Sequence, residues 1–358
     1  VADTLGKTLK NLPGPVLITG HTGFKGTWMT LMLKQLDIPV IGYSLKPETD
    51  SLYNRAKLKG QIPEIFADIR DYKKLKKFIS KHQPSVVIHM AAQPLVLEAY
   101  RIPRETFDVN VMGTVNLLDI AFNVKSVQVV MVVTSDKVYK NDDSGYSFLE
   151  SDPLEGKDPY SASKVGTESV VNAWQQIAVV SGGPKVVSVR AGNVIGGGDL
   201  ARNRLMPDIV RSHLSREPLM VRNPNNSRPW QHVLDPLTGY IKVIEKLLSG
   251  YELKTVNFGP VGKSLSVQEV IKVTSKEIDF DYRIEKIEDR YESKSLELNS
   301  NYAYKVLNWL PVYNQEEAIL KTVEWWQNAI RKDMKVIELC RDEIKDFIDR
   351  LTRLDTRK

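Results

Sequence analysis

The sequence predicts an α/β protein organised around a doubly wound parallel sheet. Three observations carry that expectation: short β-branched runs recur through the first part of the chain, amphipathic stretches separate them, and a glycine triplet follows the first run directly. The runs are "PVLITG" ending at Gly20, "IPVIGYS" at Ser44, "PEIFADI" at Ile69, "SVVIHMAA" at Ala92, "VQVVMVVTS" at Ser135 and "KVVSVRAG" at Gly192. Nearly continuous apolar runs suit strands covered by helices on both faces.

Between the runs, Phe107, Val111, Val115 and Leu118 recur every three or four residues and mark the helix face expected on the sheet. Met29, Met32 and Leu33 read as core packing on the first helix. After about residue 192 the texture changes to glycine, proline, asparagine and arginine in "GNVIGGGDLARNRLMPD" and "VRNPNNSRPWQHVLDP", which predicts loops and small elements over the sheet edge. The stretch from about 315 to 355 reads as two short amphipathic, charged helices.

Composition narrows the function classes. The chain has 358 residues, 42% hydrophobic and 26% charged, enough for a full core. Fifty lysines and arginines against 44 acidic residues give +6 without a long block of like charge. That balance suits an anionic small molecule, and no interleaving of aromatic and basic residues suggests nucleic acid. The lone Cys340 points to a reducing compartment, the cytoplasm by default. "VADTLGKTLKNLPGP" lacks an apolar core behind a basic start, and no run approaches the length of a membrane span. His21, His82, His89, His213 and His232 are too scattered for a local metal cluster, so no metal is expected, and His232 reads as structural.

"TGHTGFKG" places Gly20, Gly23 and Gly26 at the turn from the first strand into a helix through "TWMTLMLKQL". Glycines there permit the tight turn and let backbone approach a pyrophosphate at the helix N-terminus, which predicts dinucleotide binding on a Rossmann-type sheet. His21 and Lys25 read as solvated loop residues. The second strand ends in Ser44, with Lys46 nearby, where an acidic residue usually holds the adenosine ribose, so NAD and NADP both stay open. Asp68 either accepts from the adenine amino group or caps the "YKKLKKFI" helix. The dinucleotide-binding domain is expected over 1–192, with segments near 230–260 returning to it, and 193–358 mainly as a smaller substrate-binding lobe with the C-terminal helices.

"PYSASK" opens a helix with Pro159 in its first turn and puts Tyr160 and Lys164 four residues apart, on one face. An adjacent ammonium and a nicotinamide cation would draw the phenol's pKa down from about 10, as a base that oxidises a hydroxyl requires. With these motifs the chain resembles the extended short-chain dehydrogenase/reductase family, matching it at "TGHTGFKG", "HMAAQ", Asn110, the hydroxyl ending the fifth strand, and "YSASK". The resemblance implies that Ser135 binds the substrate hydroxyl, Tyr160 takes its proton and Lys164 holds the nicotinamide ribose. Thr134 stands beside Ser135; Ser135 is preferred because it directly precedes Asp136 and Lys137. Implied NAD contacts are Gly20, Thr22, Gly23, Phe24, Gly26, Ser44, Asp68, Ile69, Ala91, Ala92, Gln93, Asn110 and Thr134, with Tyr160 and Lys164.

Simple oxidation or C4 epimerisation needs no second acid/base pair, whereas dehydration does: after C4 oxidation a base takes the C5 proton and an acid protonates the leaving C6 oxygen. Asp136 suits the acid. Lys137, where related dehydratases more often carry glutamate, is either the C5 base or a charge that stabilises the enolate. "AAQPLV", "GNVIGGGD" and "RPWQHVLDPLTGY" narrow the resemblance to nucleotide-sugar 4,6-dehydratases that take a CDP-hexose, a route to dideoxyhexoses of surface polysaccharide such as lipopolysaccharide O-antigen. Arg202, Arg204, Arg222 and Arg228 are candidates for the diphosphate, and Asn193, Gln93 and Gln231 for the sugar nucleotide. Glu98 reads equally as a sugar-site residue or a helix surface charge. The alternatives are an NAD-dependent nucleotide-sugar epimerase or reductase on the same fold, and a non-catalytic NAD-binding protein. The resemblance also implies a homodimer or dimer of dimers.

Overall fold

The computed structural model describes residues 5–285, 293–330 and 335–356. Seven parallel strands form the central sheet: β1 (Val16–Thr19), β2 (Val40–Ser44), β3 (Glu64–Phe66), β4 (Val86–His89), β5 (Val129–Val133), β6 (Lys185–Ala191) and β7 (Thr255–Phe258). Their order is β7-β6-β5-β4-β1-β2-β3, so the winding direction reverses between β1 and β4. Alternation within the strands shows why the sheet needs two covers. Val129, Met131 and Val133 of β5 enter one apolar cluster and Val130 and Val132 the other.

The first cluster is closed by α1 (Phe24–Gln35), which buries Trp28, Met29, Met32 and Leu33 as expected. The second is closed by α2 (Tyr72–His82), α3 (Gly113–Phe122) and α4 (Pro159–Ser181). After these come α5 (Leu205–Ser215), α6 (Leu234–Leu248), α7 (Gln315–Ile330) and α8 (Val336–Thr356). Residues of α6, α7 and α8 join the first cluster. Among the described residues no helix is long and apolar enough to cross a membrane.

Three expectations need correction. The third strand stops at Phe66 rather than Ile69, because Asp68 accepts the Arg70 N–H at 2.8 Å and turns the chain out of the ladder. The face of α3 on the sheet carries Leu117, Leu118 and Ala121, while Phe107 is 40% exposed and Val111 and Val115 are half-buried. A π-turn over Asp108–Met112 inserts an extra residue and rotates everything beyond it. Finally, β7 adds a strand that hydropathy conceals, since Asn257 lies in its centre. That amide is fully buried but satisfied, accepting from Tyr139 at 2.7 Å and donating to the Phe148 carbonyl at 3.0 Å.

Short ladders tie the later segments together: Val194–Ile195 with Gln231–His232, and Ser227–Arg228 with Leu265–Ser266. His232 is structural, as expected. It is buried 2.8 Å from Glu343 of α8 and packs edge-on against Tyr313.

Candidate active site

The site lies beyond the C-terminal ends of β1, β4 and β5, where the topology switches. Gly20 has φ +75°, and a Cβ there would come within 2.8 Å of the Ala91 nitrogen; at Gly26 a Cβ would sit 2.1 Å from the Gly20 carbonyl oxygen. Gly23 starts α1 without any side-chain cap, which leaves its first-turn N–H groups directed at the space above the turn. This cradle of backbone donors, which side chains would fill, fits a dinucleotide pyrophosphate.

The adenosine side is more built than expected. Thr22 and Ser44 share a 2.7 Å hydrogen bond across β1 and β2. His21 is fully buried, not solvated: Gly42 leaves it room, and its Nε2 meets Glu64 at 2.9 Å. Burial lowers its pKa, against Glu64. Asp68 does not cap α2, because Asp71 does, accepting from Lys74 N–H at 3.1 Å. The Asp68 carboxylate instead holds Arg70, whose hydrogen bonds keep it below the ordinary carboxylate range. Ile69 is buried against Gly113. Ala91 and Ala92 follow β4, and the Ala91 N–H donates to Thr19 at 3.2 Å.

Asn110, inside the π-turn, spends its amide on structure. It accepts from Gln93 N–H at 2.8 Å and donates to the Gln93 carbonyl at 3.1 Å and to Ser163 at 2.8 Å. Gln93 in turn folds its side chain onto Leu95 and Thr106. Glu98 pairs with Arg101 at 3.8 Å.

The helix bearing Tyr160 is started by Asp158, which accepts from Tyr160 N–H at 2.8 Å and Ser161 N–H at 3.0 Å, with Pro159 in the first turn. That fixes Tyr160 and Lys164 on the face turned to β5. The Lys164 ammonium donates to the Val133 carbonyl at 3.1 Å. Ser135 begins a short turn over Asp136–Val138, accepting from Lys137 N–H at 3.2 Å and donating to Asp136 Oδ1 at 3.1 Å. Its hydroxyl also faces the Tyr160 phenol, whereas Thr134 turns its own toward Glu168 at 2.5 Å.

Burial dominates the electrostatics. It pushes the Tyr160 phenol up to about 12, against Ser135 and Arg204. The expected lowering by Lys164 is not what acts on the phenol here, since that ammonium points at backbone. Lys164 itself falls to about 8 through burial and nearby Lys25, with Glu168 opposing. Asp136 is 3% exposed, and burial raises it despite Lys137, Ser135, Arg228 and Lys25. Its Oδ2 is buried without a hydrogen-bond partner. A carboxyl whose pKa burial raises and whose second oxygen has no partner suits a proton donor to a leaving group.

Lys25 belongs to this constellation, contrary to its reading as a solvated residue. It rises from the first turn of α1, and burial and Arg204 bring it to about 8, with Asp136 opposing. Arg204 is held by Asp199 at 3.1 Å, and buried Arg228 donates to the Ser227 carbonyl at 2.8 Å. Both act electrostatically on groups of this cluster, Arg204 on Tyr160 and Arg228 on Asp136. Arg222 pairs with Asn203 at 3.0 Å and Arg202 is exposed, and neither is drawn into that cluster by a described contact. Asn193 accepts Gln231 N–H through its carbonyl at 2.9 Å, and the Gln231 amide donates to the Phe258 carbonyl at 2.9 Å. Phe24, half-buried, opens α1 beside Gly196.

Beneath the site, Glu168 accepts from Arg190 Nε and Nη2 at 2.9 Å each and from Ser188 at 2.8 Å, besides Thr134. Arg190 continues to Tyr139 at 2.8 Å. Breaking one side of such a buried pair typically costs about 3–5 kcal/mol. No sequence motif marks Glu168 except its spacing, one further turn beyond Lys164.

Comparison with known proteins follows the same architecture. The chain is 39% identical over 350 residues to CDP-glucose 4,6-dehydratase of Salmonella typhimurium, covering 94% of this chain and 97% of that protein. It is 25% identical to dTDP-glucose 4,6-dehydratase of Xanthomonas campestris over 87% of this chain and 92% of the relative. Among solved structures, a UDP-glucose-4-epimerase from Stenotrophomonas maltophila with bound NAD and formylated UDP-arabinopyranose shares the fold. It has a TM-score of 0.78 at 22% identity, covering 89% of this chain and 99% of that one. Residues 16–259, which hold the glycine turn, the Ser135–Lys137 turn and the Tyr160–Lys164 pair, match a single family description, and the chain belongs to the NAD dependent epimerase/dehydratase family.

Proposed function

We propose that the protein dehydrates CDP-D-glucose to CDP-4-dehydro-6-deoxy-D-glucose with NAD as a recycled cofactor. The observation that carries this reading is Asp136, a buried acid with an unpartnered oxygen beside the oxidation machinery, which epimerisation and reduction do not need. The similarity to the Salmonella enzyme supports the choice of nucleotide.

NAD held at the glycine turn would supply the hydride acceptor for C4 and the hydride donor for C6. Ser135 orients the C4 hydroxyl, and Tyr160 takes its proton. The resulting C4 carbonyl acidifies the C5 proton, which Lys137, on the same turn as Asp136, removes. Asp136 protonates the departing C6 oxygen, releasing water, and Lys137 returns a proton to C5 as C6 is reduced. Tyr160 gives its proton to solvent and Asp136 regains one, so the balance is loss of one water. Arg204 and Arg228 hold the substrate diphosphate.

Incubation with NAD and CDP-glucose deuterated at C4 is expected to give a 4-keto-6-deoxy product labelled at C6. Label lost to solvent would overturn the mechanism, and turnover of UDP- or dTDP-glucose alone would overturn the nucleotide. Lys137→Ala is expected to slow C5 deuterium wash-in from heavy water by about 10²–10⁴-fold. Wash-in at the parent rate removes Lys137 as the base and leaves it an electrostatic role.

The assembly we propose is a homodimer or dimer of dimers that covers α4, whose Val179 and Val180 are 80% and 84% exposed. Light scattering should return two or four times 40.6 kDa, and a single chain mass at working concentration would refute it.

A further inference from the structure

Tyr160, Lys164 and Glu168 stand on successive turns of α4 and meet the end of the sheet in a line. The first two belong to the chemistry just proposed, and the third has no step in it. Both of its oxygens are nonetheless bonded by buried donors from β6 and the residue after β5: Thr134 at 2.5 Å, Ser188 at 2.8 Å and the two Arg190 nitrogens at 2.9 Å each. Thr134 is the residue before Ser135, so this carboxylate connects the helix that carries the base to the strand end that carries the hydroxyl.

We propose that Glu168 is a positioning residue: anchored by Arg190, it locks Thr134 to α4 so that Ser135 stays aligned with Tyr160, and it places a buried negative charge one helical turn from the Lys164 ammonium. The charged and titratable groups facing Lys164 are Lys25 from α1, His89 from β4, and Tyr160 and Glu168 from its own helix. His89 is buried and held neutral, with a pKa of about 3, so it adds no further positive charge beside Lys164. Lys25 is cationic and disfavours the Lys164 ammonium, which leaves Glu168 as the group that favours it. Glu168 is faced in turn by Arg190, whose ionisation is favoured by the same contact.

The role rests on the dehydratase reading only where kinetics are used. In Glu168→Gln the pH at which Lys164 of the NAD-free protein becomes half reactive in competitive acetylation, read by mass spectrometry, should fall by about one unit, the order expected for losing one opposite charge. The basic limb of C4 oxidation should move down with it. kcat should drop at least about tenfold, with KM for CDP-glucose and Kd for NAD within about twofold of the parent. Glu168→Asp should restore the limb. A structural role alone would lower kcat and leave the limb and the Lys164 profile in place, and that result overturns the charge assignment.

Should Glu168→Gln fail to fold, Thr134→Val decides the alignment role, because it keeps shape and charge and removes the hydroxyl that ties to Glu168 and, at 3.4 Å, to the Val189 carbonyl. A lowered kcat with unchanged Kd for NAD supports the alignment role. Parental kcat, or a weakened Kd for NAD, overturns it. The acetylation readout needs no sugar nucleotide, so a parent enzyme that ignores CDP-glucose would refute the proposed reaction without touching this inference.

Discussion

Tyr160→Phe is expected to lower the rate of C4 oxidation by about 10²–10⁴-fold, with binding of the sugar nucleotide little changed. The ring keeps its packing at the start of α4, and only the oxygen that accepts the substrate proton is lost. Burial holds the phenol at about 12 in the NAD-free chain even with Ser135 and Arg204 opposing, so the further lowering toward a tyrosinate falls to the cationic nicotinamide ring. The parent enzyme should therefore gain rate as pH rises through the neutral range, up to the point where the Lys164 ammonium titrates near 8. Tyr160→Phe should show neither the rate nor that acid limb. Stopped-flow absorbance of the reduced cofactor checks both, and a variant that oxidises C4 at the parent rate would remove Tyr160 as the base.

Asp136→Asn should separate the two halves of the reaction. The amide fills the same space but has no proton to give the C6 oxygen, and elimination should fall by about 10²–10⁴-fold. C4 oxidation, which depends on Ser135, Tyr160 and Lys164, should persist, so reduced cofactor accumulates on the enzyme and no 6-deoxy product appears. In the parent, the acid works only while protonated. Because burial raises its pKa, elimination is retained at pH values where an ordinary carboxyl is already ionised, and it declines as pH climbs through the raised value. Product formation at the parent rate, or a failure to accumulate reduced cofactor, would refute the assignment.

The central sheet is legible because parallel strands covered on both sides read as short, mostly apolar runs, and six of the seven fall in such runs despite Glu64, His89, Ser188 and Arg190. The seventh hides behind Asn257, whose polarity is satisfied by Tyr139 and Phe148, residues more than a hundred positions away. The phase of α3 was misread because a π-turn obeys no pattern in hydropathy. In the site, Tyr160, Lys164, Ser135 and Asp136 announce themselves by spacing and by position at strand and helix ends. Lys25 and Glu168 do not. Each sits one step from a legible motif, and each acquires its role from what the fold brings opposite: Asp136 and Arg204 for Lys25, Arg190 and Thr134 for Glu168.

The room that Gly42 gives His21 constrains how this protein can be re-engineered or drift. A Cβ at position 42 would lie 2.6 Å from the His21 ring, while that ring holds Glu64 and stacks over Phe66. A side chain at position 42 displaces the histidine and takes from Glu64 one of its three described partners, the others being the Tyr53 hydroxyl and the Gly60 N–H, so positions 21 and 42 are coupled. Ser44, two residues on, has Thr22 as the described partner of its side chain, and is where a change of the proposed adenosine-ribose preference has freedom to begin.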